Sequence, residues 1–359
     1  MNVLIVGAST RAAAFSALRA GLRPRCLDLF ADADLAARCP VARLDPDGPF
    51  DPPACDAWLY TGSMEARPDL VGRLASAAPL LGNDPDVLRR ARDPWVVTDA
   101  LIAEGLPTPR LRRVAEGAPT TGRWLAKSVA TAGGLGVRWA RDAGGVPPTH
   151  LQEFVEGPTF SALFVAAGGD SRLVGVARQF PGVPGAPFLY RGGVAPWPVP
   201  DAARAEVRRV GAALARRFAL VGLLGVDFVL ADGRPWVVEV NPRYTASVEL
   251  FEYASRRPLM RDHVRACVDR EVEAEEIRGG EAVGKRVIYA GRRLTFPEIA
   301  PPSIEDDFLT PDFADVPHPG AVIEAGEPVL TVLARAETPE ECVARLDRAE
   351  AAWVDRLAP

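Results

Sequence analysis

Lysine is nearly absent from this chain: of 42 basic residues, only Lys127 and Lys285 are lysines. The richness in Ala, Arg, Gly and Pro fits a GC-rich coding bias, under which arginine replaces lysine wherever positive charge alone is needed. A lysine kept against that bias does something that arginine's flat, five-donor fork cannot, so both positions are candidates for chemistry. Cysteine is sparse as well. Cys26, Cys39, Cys55, Cys267 and Cys342 are odd in number, scattered and without CxxC spacing, which argues against a zinc site and points to reduced thiols in a cytoplasm. The three histidines, His150, His263 and His318, stand too far apart in sequence to suggest a histidine metal cluster. No apolar run reaches membrane length, and the N-terminus begins as a strand without the basic start and apolar stretch of a signal peptide. A formal net charge of −5 with no basic block argues against general nucleic-acid binding.

What is present describes a globular protein of several units. At 359 residues the chain exceeds one ordinary core, so two or three domains are expected. Val3–Val6 is a buried strand running into a tight turn; a helix follows over 11–20, ended by Gly21, and a second strand over 25–30. Further strands at 57–60 and 79–81 complete a small parallel-sheet domain over 1–85. A helix beginning at Asp86 or Pro94 and running to Glu104 leads into Gly105-Leu106-Pro107-Thr108-Pro109. Strands then dominate, at 124–129, 151–155, 160–166 and 172–179, and the proline- and glycine-rich 181–200 segment reads as a mobile loop. Helices are expected over 201–217 and 261–268, and an acidic connector reaches Gly280. The last residues, 281–359, form an α+β unit whose helix opens on the capping box Thr338-Pro339-Glu340-Glu341.

The densest chemistry lies in the strand Leu223–Leu230, the turn signal Asp232-Gly233 and the strand Pro235–Val240, continuing into Asn241-Pro242-Arg243. Side chains alternate with period 2, so Glu239 and Asn241 share a face, roughly 6–7 Å apart. A three-residue loop Asp232-Gly233-Arg234 would set Asp227 opposite Glu239, whereas a two-residue loop would pair Asp227 with Val238 and turn the acids to opposite faces. Two carboxylates about 5 Å apart repel by roughly 3 kcal/mol at an effective dielectric of 20. A cation between them relieves that, and two acids with an amide oxygen suit magnesium holding a nucleotide's phosphates. The bland alternative makes Asp227 a strand-edge residue and Glu239 a partner of Arg243.

Lys127 lies on a strand four residues before Thr131-Ala132-Gly133-Gly134-Leu135-Gly136, where backbone amides freed by glycine can clamp phosphate oxygens opposite the ammonium. The loop lacks the Gly-Lys-Ser/Thr ending of a P-loop. Gly7 has no second or third glycine at GxGxxG spacing, so a nicotinamide site with Asp28 on the ribose is disfavoured. Gln152-Glu153-Phe154-Val155-Glu156-Gly157 alternates and turns, a segment whose backbone can read an adenine edge. Arg178 and Arg191 are possible anion contacts; His318 is a loop residue.

Taken in this order, Gly105–Pro109, Lys127 with its glycine loop, the Gln152–Gly157 hinge, and Asp227, Glu239, Asn241 and Arg243 resemble the ATP-grasp superfamily. The spelling Glu-Val-Asn-Pro-Arg is similar to the biotin carboxylase and carbamoyl-phosphate synthetase side, in the branch of predicted ATP-dependent carboligases. The resemblance implies a mixed α/β and α+β fold: a pre-ATP-grasp domain (1–85), a two-subdomain ATP-grasp module (86–280, lid about 110–180) and a small C-terminal β-rich unit. It implies ATP with magnesium, or manganese in its place. Lys127 would contact phosphate and adenine, Thr131, Gly133, Gly134 and Gly136 would cover the phosphates, and Gln152, Glu153, Val155 and Glu156 would line the base and ribose. Asp227, Glu239 and Asn241 would bind metal, and Arg243 would stabilise the transferring phosphoryl group. Two positions depart from the pattern: the upstream basic residue is not a lysine, Arg92 being the near candidate, and the ribose-binding acid falls at Thr159, where Glu156 is the substitute.

The reaction so implied joins a carboxylate to an amine through an acyl phosphate, on small-molecule substrates, in a cytoplasmic protein and potential homodimer without nucleic-acid or membrane partners. The alternatives are a bicarbonate-using carboxylase and a nucleotide-binding regulatory subunit. With Met1, Met64 and Met260 as its only methionines the chain has no Ala-Met-Lys-Met biotinylation site, which lowers the first alternative, and Arg243 argues against the second.

Overall fold

The computed structural model describes residues 1–45, 47–48, 53–76, 78–303 and 306–358. Asn2–Gly7 is buried on both faces, as a central parallel strand must be, between Arg23–Asp28 and Ala57–Tyr60. The sheet's fourth member is the three-residue Val41–Arg43 beside Arg23–Asp28, too short and too exposed to leave an apolar pattern in sequence. The expected strand at 79–81 reduces to a single bridge between Leu80 and Trp58. The helix Arg11–Arg19 packs on this sheet and Gly21 closes it in the left-handed conformation (φ +80°).

The helical region before residue 105 is two helices, Pro85–Ala91 and Pro94–Ala103. Each starts with Asp-Pro: the Asp84 and Asp93 carboxylates accept the first free N–H groups and proline occupies the first helical position. The break leaves Arg92 on a corner between the two helices.

Eight strands form one antiparallel sheet in the order 234–241, 222–231, 159–167, 170–183, 186–195, 282–289, 328–336, 313–314. Two expectations change here. The 181–200 segment is not an irregular loop: Asp170–Val183 continues through Pro181, and Ala186–Ala195 returns antiparallel to it. Proline is accommodated because the register shifts on both sides of it. The C-terminal strands Ala282–Tyr289 and Pro328–Ala336 extend this same sheet through Gly193–Lys285 pairing, with the helix Pro339–Arg356 across them. Thr338 Oγ1 caps that helix by accepting from the Glu341 N–H, while the Glu341 carboxylate turns to Arg345.

A smaller sheet, ordered 111–112, 150–153, 124–127, 138–139, stands over the large one. It ends at Glu153, so the strands 159–167 and 170–183, included in the expected lid, belong to the large sheet. The helix Asp201–Phe218 packs the stripe Val207, Val210, Leu214 and Phe218 on that sheet, and Gly211 admits the Phe164 ring where a Cβ would stand 2.3 Å away. The helix Val248–Ser255, not anticipated, follows directly from the Asn241–Ser247 turn. Among the described residues no helix is long and apolar enough to cross a membrane.

His263 joins the two main sheets. Its Nδ1 accepts the Leu223 N–H at 2.8 Å and its Nε2 lies 3.2 Å from the Leu81 carbonyl. Burial pulls its pKa down to about 4. The unfolded chain therefore takes up this proton near pH 6.5 and the folded one only near 4, so its contribution to stability is lost as pH falls through that window. Between pH 7 and 5 the loss is about 2 kcal/mol. Urea titrations should show that increment in the parent and its absence in His263→Gln; equal pH slopes would contradict the assignment.

Candidate active site

The hairpin that carries the acids uses neither of the geometries weighed from sequence. Its turn is the two-residue Asp232-Gly233, both left-handed (φ +50° and +72°), closed by the Ala231–Arg234 pair. Alone that turn would oppose Asp227 to Val238. A β-bulge restores the other pairing: Phe228 opposes Val237, Val238 is skipped, and Asp227 opposes Glu239. The skipped residue has its own use, because the Val238 carbonyl accepts from Lys127 Nζ at 3.0 Å and from Gln152 Nε2 at 3.4 Å. One backbone irregularity thus pairs the acids and anchors the lysine.

A cavity of about 260 Å³ opens between the large and small sheets. Lys127, Gly133, Gly134, Gln152, Glu153 and Val155 line one side, and Asp227, Glu239, Asn241 and Arg243 the other. Lys127 also donates to Gln152 Oε1 at 3.2 Å, and burial pulls its pKa down against the opposing pull of Glu239 and Asp227. Asp227 is pushed up to about 6, chiefly by burial and next by the Glu239 charge. Gln179 donates to its Oδ1 at 3.1 Å and Asn241 Nδ2 to its Oδ2 at 3.0 Å.

Three predicted residues are not on the cavity wall. Glu156 is exposed and lies 3.9 Å from Arg123, because the strand has already turned outward at the hinge. Thr131 and Gly136 flank the glycine loop; Thr131 Oγ1 bonds the Ser128 carbonyl, and Gly136 packs on Val146. Gly133 and Gly134 meet the strand Ala186–Ala195: the Gly133 carbonyl accepts the Tyr190 N–H at 2.8 Å, and a Cβ on Gly134 would stand 2.0 Å from the Phe188 carbonyl oxygen. The Val155 backbone makes no hydrogen bond among the described residues and lies on the wall. Glu153 is there too, its carboxylate held by Arg110 at 2.7 Å. Thr159 also lines the cavity and bonds the Gln179 carbonyl at 3.3 Å.

Arg178 and Arg191 do not reach the site. Arg178 is surrounded by the rings of Phe160, Phe180 and Trp197, and Arg191 pairs with Glu350. Lys285 is buried elsewhere, its Nζ 2.6 Å from Glu249, which also binds Arg11. His318 bonds the Ala31 carbonyl. Sequence reasoning missed Gln179, Tyr190 and Glu65, which carry no motif and come from three different elements. Arg92, the near candidate for an upstream cation, is at the site: its Nη2 donates to the Thr131 carbonyl at 3.0 Å and lies 3.6 Å from Glu239 Oε1.

The donor set fits a hard divalent cation in its two acids. They are paired across a hairpin, and burial followed by the Glu239 charge pushes Asp227 up. Asn241 is turned differently, its oxygen accepting from Arg243 Nη2 at 3.2 Å and its nitrogen facing Asp227. Among the described residues no group of three His, Cys, Asp or Glu is placed to hold a metal, so a third protein ligand would have to be that amide.

Residues 91–247 match the family model of the ATP-grasp domain, and the fold is shared with solved ATP-grasp structures. That match spans a little under half of the chain and makes this segment similar to an ATP-grasp domain. An uncharacterized protein of Methanocaldococcus jannaschii is 28% identical over 189 residues, 52% of this chain and 43% of that one. The carbamoyl phosphate synthase large chain of Pasteurella multocida is 31% identical over 117 residues, 33% of this chain and 11% of that one. The chain thus matches less than half the length of these relatives. The biotin carboxylase domain of Hydrogenobacter thermophilus 2-oxoglutarate carboxylase, solved as a dimer with MgADP and bicarbonate, superposes with a TM-score of 0.72 at 15% identity, covering 96% of this chain and 89% of that one. The L-amino acid ligase of Bacillus licheniformis gives 0.71 at 17% identity, covering 98% and 97%.

Proposed function

We propose that the chain is an ATP-dependent ligase that activates a carboxylate as an acyl phosphate for attack by an amine, releasing ADP and phosphate. The observation that carries this reading is the placement of Asp227 opposite Glu239, with Arg243 beside them and Lys127 across the same cavity beneath the glycine loop. Paired acids, an ammonium and a glycine loop lining one cavity support this reading, since phosphoryl transfer rests on positioning and charge stabilisation. Similarity to an L-amino acid ligase and to carboxylase domains supports the reaction class.

In this reading Lys127, fixed by Gln152 and Val238, neutralises phosphate charge, and Val155 offers backbone to the base. Asp227 and Glu239 would hold magnesium or manganese, with Asn241 joining once its oxygen leaves Arg243; the ion would supply charge neutralisation on the phosphates. The substrate carboxylate oxygen attacks the γ-phosphorus as the bond to ADP breaks. The amine then attacks the acyl carbon, the carbon–oxygen bond to phosphate breaks, and the amine's protons pass to phosphate and solvent. Arg243 stabilises charge on the transferring group.

MgATP with mixtures of carboxylic acids and amines should release ADP and phosphate in equal amounts, only when both co-substrates are present. Release on bicarbonate instead of an organic acid would assign the carboxylase chemistry, and nucleotide binding without ADP under every mixture would assign a regulatory subunit. A homodimer is part of the proposal and is read by light scattering.

A further inference from the structure

Glu65 is a buried acid that stands behind Arg243, off the cavity wall. It comes from the N-terminal sheet, on the short 3₁₀ turn Met64–Ala66 after the strand Ala57–Tyr60, and its side chain is fully inaccessible. Ser63 before it adopts the left-handed conformation (φ +76°), a costly one for a residue with a Cβ, and that turn delivers the carboxylate to its place. Its Oε1 stands 2.6 Å from Arg243 Nη2, yet among the described residues neither carboxylate oxygen has an aligned hydrogen-bond donor. Arg243 is likewise incompletely tied. Nη1 donates to the Tyr244 carbonyl and Nη2 to Asn241 Oδ1, while the buried Nε has no partner among the described residues.

The contacts run on without a break. Glu65 faces Arg243, Arg243 donates to Asn241, Asn241 donates to Asp227, and Asp227 opposes Glu239. The same turn is gripped by the N-terminal domain at other points: the Asn83 amide and the Tyr60 hydroxyl both donate to the Pro242 carbonyl, and the Tyr244 hydroxyl to that of Ala12. A guanidinium one amide away from two carboxylates is drawn to them, and there it would compete with a cation for the same oxygens. Glu65 lies on the other side and opposes that movement.

We propose that Glu65 is a positioning residue that holds the Arg243 guanidinium on the N-terminal side of the cavity and so leaves Asp227 and Glu239 open to a divalent cation. This rests on the metal assignment made above. It also gives the N-terminal domain a part in the chemistry: its first sheet sets the position of an arginine in the next module.

The test is a double-mutant cycle on cation binding, read without turnover. Binding of Mn²⁺ in the presence of ADP is followed by loss of the free-ion electron paramagnetic resonance signal, in the parent, Glu65→Gln, Arg243→Met and the pair. Glu65→Gln keeps the shape and removes the charge, so binding should weaken about tenfold. Glu65→Asp, which keeps charge but is shorter, should recover part of it and stands in should the Gln variant fail to fold. In the Arg243→Met background Glu65→Gln should have no further effect, because the competitor is gone. Equal affinity in the parent and Glu65→Gln, or the same loss in both backgrounds, would overturn the inference while leaving the ligase reading intact. A parent that binds no Mn²⁺ with ADP would remove the ligase reading as well.

Discussion

Glu239→Gln is expected to lower magnesium-dependent ADP formation by about a thousandfold or more, with the fold unchanged. The substitution preserves volume and removes one negative charge from a pair that sits on adjacent strands. A neutral amide is a weaker ligand for a hard dication than a carboxylate, and losing charge stabilisation at a phosphoryl-transfer centre costs on the order of 10²–10³ or more. Stability should stay level or rise. The Glu239 charge is one of the causes that push Asp227 up to about 6, and its removal lets Asp227 ionise more easily. Arg92 loses the ion pair at 3.6 Å but keeps the Thr131 carbonyl. The measurements are coupled-enzyme ADP release and a thermal melt on the same preparation. Turnover within a few-fold of the parent at an unchanged melting temperature would refute the ligand assignment.

Lys127→Arg is expected to reduce kcat/KM for ATP by about a hundredfold. Charge is kept, so a loss measures shape. The ammonium fits between Gln152 Oε1 at 3.2 Å and the Val238 carbonyl at 3.0 Å, both on fixed strands. A guanidinium is longer and planar, cannot converge on both acceptors from that strand, and would push into the volume that the phosphates need. It also stays charged when desolvated, whereas burial already pulls the lysine down. Initial-rate kinetics over ATP concentration provide the check, and parent-like kinetics would show that the position asks only for a cation. The rarity of lysine in this chain would then have no functional meaning.

Much of the site was legible because it is local. Lys127 and the glycines that follow are one strand and one turn, and Glu239 with Asn241 is a matter of period 2. The pairing of Asp227 with Glu239 was reached in sequence through the wrong loop. Asp232-Gly233 makes the tight turn that its residues favour, and the bulge at Val238 that corrects the register has no mark in Trp236-Val237-Val238-Glu239, where every residue suits a regular strand. The same limit explains Pro181. Prolines and glycines between 181 and 200 signal irregular chain, but two register shifts let them lie in a hairpin whose strand pairs with the C-terminal unit. Arg178 and Arg191 carry the charge an anion site needs, and tertiary packing gave them to aromatic rings and to Glu350.

Residue order by itself determined the opening strand and helix, the strand-borne lysine, the glycine loop and the acid-rich hairpin, since each depends on neighbours close along the chain. Tertiary structure alone decided that Glu65 meets Arg243, that Arg92 meets Glu239, and that the strands after residue 281 continue the central sheet. Those contacts join residues far apart in sequence through packing and charge. No local pattern encodes them, because the free energy that selects them exists only once the sheets have come together.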